Sequence, residues 1–451
     1  MKLHMKWKVL TLFLMISALG TLAACAPAGD QDTDVTTLIY ANLTKNNVDL
    51  AAVDRFNRTH KDVRIEVRDY LDEDGISGQD RLMTEMAAGK IPDIIDLGHG
   101  SSSCLLPYQV LARKGYLEDL WPYIENDPDL GREGVLEAPL KAAEVDGGLY
   151  VLFDEVYIST LIGAESVVGD RMSWTLAELQ EAFAAMPEES TILEYNFQKL
   201  DVFGYMVCMT LDGYVDWENG QCSFDCENFR EALQFVNGFP DEVLYTEEGA
   251  SRELLDRMRC GKQMLWAYPL YNVMDIQLIS ALIANGGQVS FVGYPTADGS
   301  IGSSFIPKRN LAMSSVCQDK EAAWEFLRQM ILPKYDQDMI REGNGPLCIP
   351  INREDHDNVK RVAQSDRFVP KGRGFGKRPD NVRVEYHKVT DEEWERYETL
   401  VNSITRAGMY DTNIYNIVWE AAGAYFAGDK TLDETVALIQ NRVTLYINEQ
   451  R

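Results

Sequence analysis

The side chains best suited to chemistry in this chain are aromatic rings set beside carboxylates and amides. Trp266 and Tyr268 stand together in GKQMLWAYP at 261–269, and Trp217 directly follows Asp216. Asp154 and Tyr157 lie in GGLYVLFDEVYISTL at 147–161. Asn42 and His99 follow short apolar runs, and Asn344 sits between two glycines in GNGPLCIP at 343–350. A ring can lie flat on the apolar face of a sugar or polyol while a carboxylate or amide takes the protons of its hydroxyls. Trp266 and Tyr268 are therefore the first candidates for stacking and Trp217 the next. Asp154 is the first candidate acceptor, since its neighbour Glu155 would face the other side of a strand.

The same acids admit a second chemistry. Glycoside hydrolysis uses two carboxylates at a defined separation, and Asp154 with Asp216 or Glu218 could be cast in those roles. No motif fixes that separation, and the chain contains no G-x-S-x-G, H-E-x-x-H or G-x-x-x-x-G-K-[ST] signature. Binding is the expectation, without catalysis, cofactor or metal. Cys222 and Cys226 could bridge a turn or hold a metal, yet no His or second Cys pair lies near them in sequence.

The elements that would position these residues alternate in type. A strand at Val35–Ala41 precedes a helix at Val48–Thr59 with Leu50, Val53 and Phe56 on one face. Val63, Ile65 and Val67 alternate with charged residues, Arg81–Ala88 is helical up to Gly89, and Pro92–Leu97 is an apolar strand. Such a βαβαβ order predicts a parallel sheet, which binds ligands beyond the carboxyl ends of its strands. That places Asn42 and His99 at candidate loops. Residues 147–161 and 289–295 read as extended crossings between two units. Thr175 with Glu178, Thr390 with Glu393 and Thr431 with Glu434 have capping-box spacing, so each predicts a helix start. Trp419, on an amphipathic helix at Ile414–Phe426, reads as core, and Trp121 and Trp324 as structural. The basic, glycine-rich PKGRGFGKRP at 370–379 reads as an exposed loop.

The N-terminus reads as an export signal. Lys2, Lys6 and Lys8 precede a short apolar stretch, and Leu22-Ala23-Ala24-Cys25 matches the bacterial lipobox, which makes Cys25 the expected lipid-modified first residue of the mature chain. Residues 1–24 are then the signal peptide and 25–34 a flexible tether, with the protein held at the outer face of a membrane. The formal charge of −28 becomes −31 once the three leader lysines are lost, which disfavours nucleic acid and, apart from local fields, an acidic ligand. The 451 residues exceed what one core supports, so two units are expected.

Several segments in order resemble extracellular solute-binding protein family 1, the maltose-binding-protein-like lipoproteins of ABC importers. They are the lipobox at Cys25, AAGKIPDIIDL at 87–97, GGLYVLFDEVYISTL at 147–161, SWTLAELQEAF at 173–183, GKQMLWAYP at 261–269, NLAMSSVCQDKEAAWEFLRQM at 310–330 and AAGAYFAGDKTLDETVALIQNRVTLYINE at 421–449. The resemblance implies an α/β fold of the type II periplasmic-binding-protein kind, in which each lobe is a sheet flanked by helices and the chain crosses between lobes at a hinge. Lobe one would be 35–150 plus 296–332, and lobe two 151–295 plus 333–451. The implied ligand is a carbohydrate, mostly an oligosaccharide in this family, although other members take polyols, glycerol-phosphate compounds, thiamine or metal ions. The implied partners are membrane permease subunits, and the implied state is a monomer.

Overall fold

The computed structural model describes residues 35–43, 49–71, 78–99, 103–104, 108–194, 197–241, 250–284, 287–366, 373–375, 382–384, 386–408 and 410–450. Cys25, the leader, the tether and most of the basic loop lie outside these. Strand β1 (Thr36–Asn42) runs parallel to β2 (Val63–Asp69) along its full length and to β3 (Ile94–His99) on its other side. The expected βαβαβ unit is thus present. A late strand, Arg309–Met313, completes this sheet antiparallel to β3, with a register break at Asn310/Leu311. Helix α1 (Leu50–Thr59) starts on the Asp49 carboxylate, which accepts from the Ala52 amide at 2.9 Å. Val53 and Phe56 are buried as expected, and the Phe56 ring meets Phe326 edge-on at 5.8 Å. Leu50 departs from the expectation at 61% exposed, because the first residue of the helix lies beyond the packed turns. Helix α2 (Gln79–Ala87) begins at Gly78, where a Cβ would stand 1.8 Å from the Tyr70 carbonyl oxygen, so only glycine fits that junction.

Two further three-stranded sheets are antiparallel. In one, Glu155–Ser159 lies between Ser304–Pro307 and Ile349–Pro350, so three distant segments cross side by side. A fourth adds to the edge, where Phe305 bridges Ala407. In the other, Leu161–Ala164 lies between Val289–Phe291 and Trp266–Ala267. The chain passes from one sheet to the other at Thr160, whose hydroxyl is held 2.8 Å from that of Ser303. The strand expected around Trp266 is only two residues long, and Leu270 then bridges Ile158.

The buried apolar residues form two cores. One joins the first sheet and its helices to Ile349, Ile351, Trp394, Tyr397 and Leu400. The other gathers Trp174, Phe203, Phe224 and Phe229 with the C-terminal helices Thr412–Phe426 and Leu432–Gln450. The capping boxes at Thr175 and Thr390 form as spaced, and Thr431 accepts from the Glu434 amide at 3.3 Å. Trp121 and Trp324 are buried, their ring N–H groups donating to Glu144 at 2.8 Å and Asp127 at 3.0 Å. The molecule is thus a two-lobed α/β protein. No helix among the described residues is long and apolar enough to cross a membrane.

Candidate functional site

A cavity of about 220 Å³ lies where the two cores face each other. Its walls come from the helix Tyr108–Arg113 and the turn at Ala142–Val145 on one side, and from Met209–Trp217 with Asp411 and Ile414 on the other. Ser304 and the Thr405–Gly408 crossing line the remainder. Trp217 is delivered by a tight hairpin in which Val215–Asp216 pairs with Gln221–Cys222. Its ring meets Tyr446 edge-on at 6.3 Å, and the Arg113 guanidinium lies 5.6 Å over it from the opposite wall. Arg113 pairs with Asp146 through Nε at 3.2 Å and Nη2 at 3.4 Å, which leaves its buried Nη1 without a hydrogen-bond partner among the described residues. The same is true of the Ser304 hydroxyl.

The cavity's carboxylates, by contrast, are spoken for. Glu144 accepts from Trp121, and Asp212 is paired with Arg406. Asp411 caps its helix by accepting from the Asn413 amide at 2.8 Å and also accepts from the Tyr446 hydroxyl at 2.8 Å. Burial pushes the carboxyl of Asp411 above the ordinary range, against the pull of these partners.

Of the nine ligand candidates read from the sequence, Trp217 lines this cavity. Asp216, beside it, accepts from the amide and side chain of Asn219 at 3.0 and 2.7 Å, which shapes the turn. Trp266 is 4% exposed, with its ring centre 4.6 Å from that of half-buried Tyr268. That burial leaves Trp266 little free face for a ligand. Asp154 is ion-paired to Arg309 at 2.8 Å and Lys334 at 3.8 Å, in an arrangement separate from the Asp216 turn. Tyr157 meets Tyr271 at 5.2 Å, and burial pushes its hydroxyl up to about 12. Asn42 is buried at the end of β1, donating to Asp69 at 2.6 Å. His99 ends β3 opposite Arg309, and its side chain lies outside the described residues. Asn344 is exposed in a turn, its amide donating to the Met339 carbonyl at 2.9 Å. Glu155 is buried among Lys308, Tyr335 and the Cys348 amide.

No protein-family model matches the chain, and no curated protein sequence does either. Solved structures do. The sugar-binding protein MalE from Xanthomonas citri is similar over 92% of this chain and 98% of its own, at 16% identity and a TM-score of 0.53. A periplasmic oligogalacturonide binding protein from Yersinia enterocolitica is similar over 92% of this chain and 100% of its own, at 13% identity and a TM-score of 0.53. The fold is that of the type II periplasmic binding proteins. A de novo designed esterase is also similar, over 92% of this chain and 99% of its own, at 14% identity and a TM-score of 0.51. At such identities the likeness concerns the fold. The resemblance read from the sequence to MalE-like solute-binding proteins is matched at that level.

Within this periplasmic-binding-protein fold, the structure also picks out residues that the sequence reading passed over. Arg113 and Ser304 sit in unremarkable local sequence, and only the tertiary fold brings them to one cavity. Glu194 is largely buried in TILEYNFQ, its Oε2 shut from solvent without a partner among the described residues, and burial raises its carboxyl to about 7. Beside it Phe197 and Tyr205 stack at 5.3 Å. Tyr415 and Trp419, one helical turn apart, stack at 5.4 Å, and Trp419 is half-buried against Phe203 at 5.7 Å. The i, i+4 aromatic spacing in YNIVW was the available signal for that pair. Six cysteines, Cys208, Cys222, Cys226, Cys260, Cys317 and Cys348, are free, and no metal-ligand cluster occurs among the described residues.

Proposed function

We propose that this chain is the substrate-binding lipoprotein of an ABC importer, anchored through Cys25 at the outer face of the cell membrane, and that it captures a carbohydrate between its lobes for delivery to the permease. The observation that carries the reading is a cavity bounded by both lobes and by crossing segments of the chain, with Trp217 in its wall. An indole face suits a sugar ring, and a site shared between two lobes couples ligand contact to their closure. The names of the MalE and oligogalacturonide-binding neighbours support sugar as the ligand class. At about 220 Å³ the cavity is smaller than the roughly 300–1,000 Å³ common for ligand pockets. One sugar unit of a longer chain fits that scale, and the lobes must part to admit it. Asp154 and Asp216 belong to separate ion-pair and turn arrangements, which favours binding over hydrolysis.

The test is thermal denaturation of the purified protein with a panel of mono- and oligosaccharides. A ligand at 100 times its Kd stabilises by about 2.7 kcal/mol. A response to another solute class and none to any sugar would sink the carbohydrate reading, and release of a reducing sugar would sink the non-catalytic one. Cys25→Ser should move the protein out of the membrane fraction.

A further inference from the structure

The helix Tyr108–Arg113 reaches across the cavity at its end, through two consecutive cations. The Arg113 guanidinium lies 5.6 Å over the Trp217 ring, and the Lys114 ammonium donates to the Gln450 side-chain oxygen at 3.0 Å. Trp217 and Gln450 belong to one wall. The Trp217 ring meets Tyr446 edge-on, and Tyr446 and Gln450 stand one turn apart on the C-terminal helix. A third contact adjoins these two. Asp411, which accepts from the Tyr446 hydroxyl, lies in the short strand Tyr410–Asp411, and that strand pairs in parallel with Ser103–Cys104, which follows β3.

The two sides of these contacts are anchored in different cores. Tyr108 and Leu111, on the helix that ends in Arg113, belong to the core of the first sheet. Val443 and Ile447 seat the helix carrying Tyr446 and Gln450 in the other core, against which Trp217 also packs. Asp146 holds the Nε and Nη2 edge of the guanidinium at 3.2 and 3.4 Å from a turn beside Val145, itself in the first core. A pair made along the edge leaves the flat faces of a guanidinium free for an aromatic ring. Each of the three contacts joins one core to the other, so all three must break when the lobes part.

We propose that Arg113 and Lys114 form a latch that keeps the two lobes closed before any ligand is bound, so that solute enters only when the latch lets go. The face of Trp217 beneath the guanidinium is released for stacking in the same motion. Opening is then a two-state equilibrium, and a contact made in the closed state alone lowers the open population by its own Boltzmann factor. The inference concerns the lobes themselves and holds whatever class of solute the cavity takes.

The experiment is hydrogen–deuterium exchange of the full-length, unliganded protein in detergent, read by mass spectrometry. The reporting peptide spans 410–414, whose strand pairing crosses between the lobes, and β1 and β2 serve as the reference within one lobe. Arg113→Met should speed exchange at 410–414 about three- to tenfold, the scale of one partly desolvated cation–π contact, with β1 and β2 unchanged. Arg132→Met removes a guanidinium 4.1 Å over the Trp121 ring, inside one lobe, and should leave 410–414 at the native rate. Native exchange at 410–414 in Arg113→Met overturns the latch. Equal acceleration in β1 and β2 overturns it too, since Arg113 would then support the fold as a whole, and so does an equal response to Arg132→Met. If Arg113→Met does not fold, Lys114→Met decides, because Lys114 stands outside the Asp146 pair. Exchange at 410–414 about two- to threefold faster supports the latch, and the native rate there overturns it.

Discussion

Replacing Glu194 with glutamine isolates the energetic consequence of a single buried carboxyl. Burial raises this group from its ordinary value of 4.5 to about 7, and its Oε2 has no partner among the described residues to offset the desolvation. An acid whose value is higher in the folded than in the unfolded chain binds more protons when folded. Stability therefore falls as pH rises from about 4.5 to about 7, and the full cost is present above that window. The shift corresponds to about 3 kcal/mol, at 1.36 kcal/mol per unit. For a chain of this size, with about 2.1 cal/mol/K of unfolding entropy per residue, that is a melting shift of about 4 °C. Glutamine has nearly the same shape and does not ionise. Its own buried amide costs something, but equally at every pH. The measurement is the melting temperature of the native protein and Glu194→Gln at pH 5 and pH 8. Because the unfolded carboxyl is already mostly ionised at pH 5, about 2.5 kcal/mol of that cost falls between the two conditions, and the variant should gain about 3 °C relative to the native protein. A constant difference would mean that Glu194 ionises normally, and that its surroundings admit water.

Three further outcomes are expected. Trp217→Ala should weaken sugar binding by about 1–2 kcal/mol with little change in melting temperature, whereas Trp266→Ala should cost about 3–5 kcal/mol of stability as a core truncation; calorimetry and thermal melts on the same samples separate the two, and the reverse pattern would exchange their roles. Arg328→Met should destabilise by about 3 kcal/mol, because it leaves the buried Asp127 carboxylate without the two-pronged contact at 2.6 and 2.7 Å. Burial alone would raise Asp127, but hydrogen bonds from Arg328, the Asp129 amide and Trp324 hold it below its ordinary value. The stability it contributes is thus present above the unfolded-state value and lost as the pH falls through the folded one, so an acid melt of Arg328→Met should show a shallower loss than the native protein. Thr390→Ala should cost about 1 kcal/mol by removing a helix cap, read as a small drop in melting temperature.

Local features were legible in the sequence because local rules set them. The apolar alternation of β1 and β2, the capping threonines and the parallel βαβαβ order all follow from spacing along one segment. Burial at long range did not follow. Trp266, between Leu265 and Ala267, and Trp217, between Asp216 and Glu218, are both candidate stacking rings in the sequence. One is packed between a strand and Tyr268 while the other reaches a cavity, and that difference is set by partners more than 100 positions away, such as Arg113 and Tyr446. Asp154 reads as a free acceptor until Arg309, 155 positions on, is seen to claim it. The Arg113 Nη1 and the Ser304 hydroxyl, without a partner among the described residues, have no sequence signature at all, since being unpaired is a property of the surroundings. The antiparallel addition of Arg309–Met313 was likewise invisible to a reading of adjacent segments.

The six free thiols carry a practical consequence. Burial pushes Cys317 and Cys348 up to about 12 and Cys208 higher still, so these three hold almost no thiolate at neutral pH and are poor nucleophiles toward alkylating agents and oxidants. Cys260 alone among the six is exposed. These six sulfurs form no covalent cross-link, so packing alone holds the segments that carry them. Among these six, Cys260, in the turn after the helix Ala250–Arg259, is the accessible handle for attaching a fluorophore.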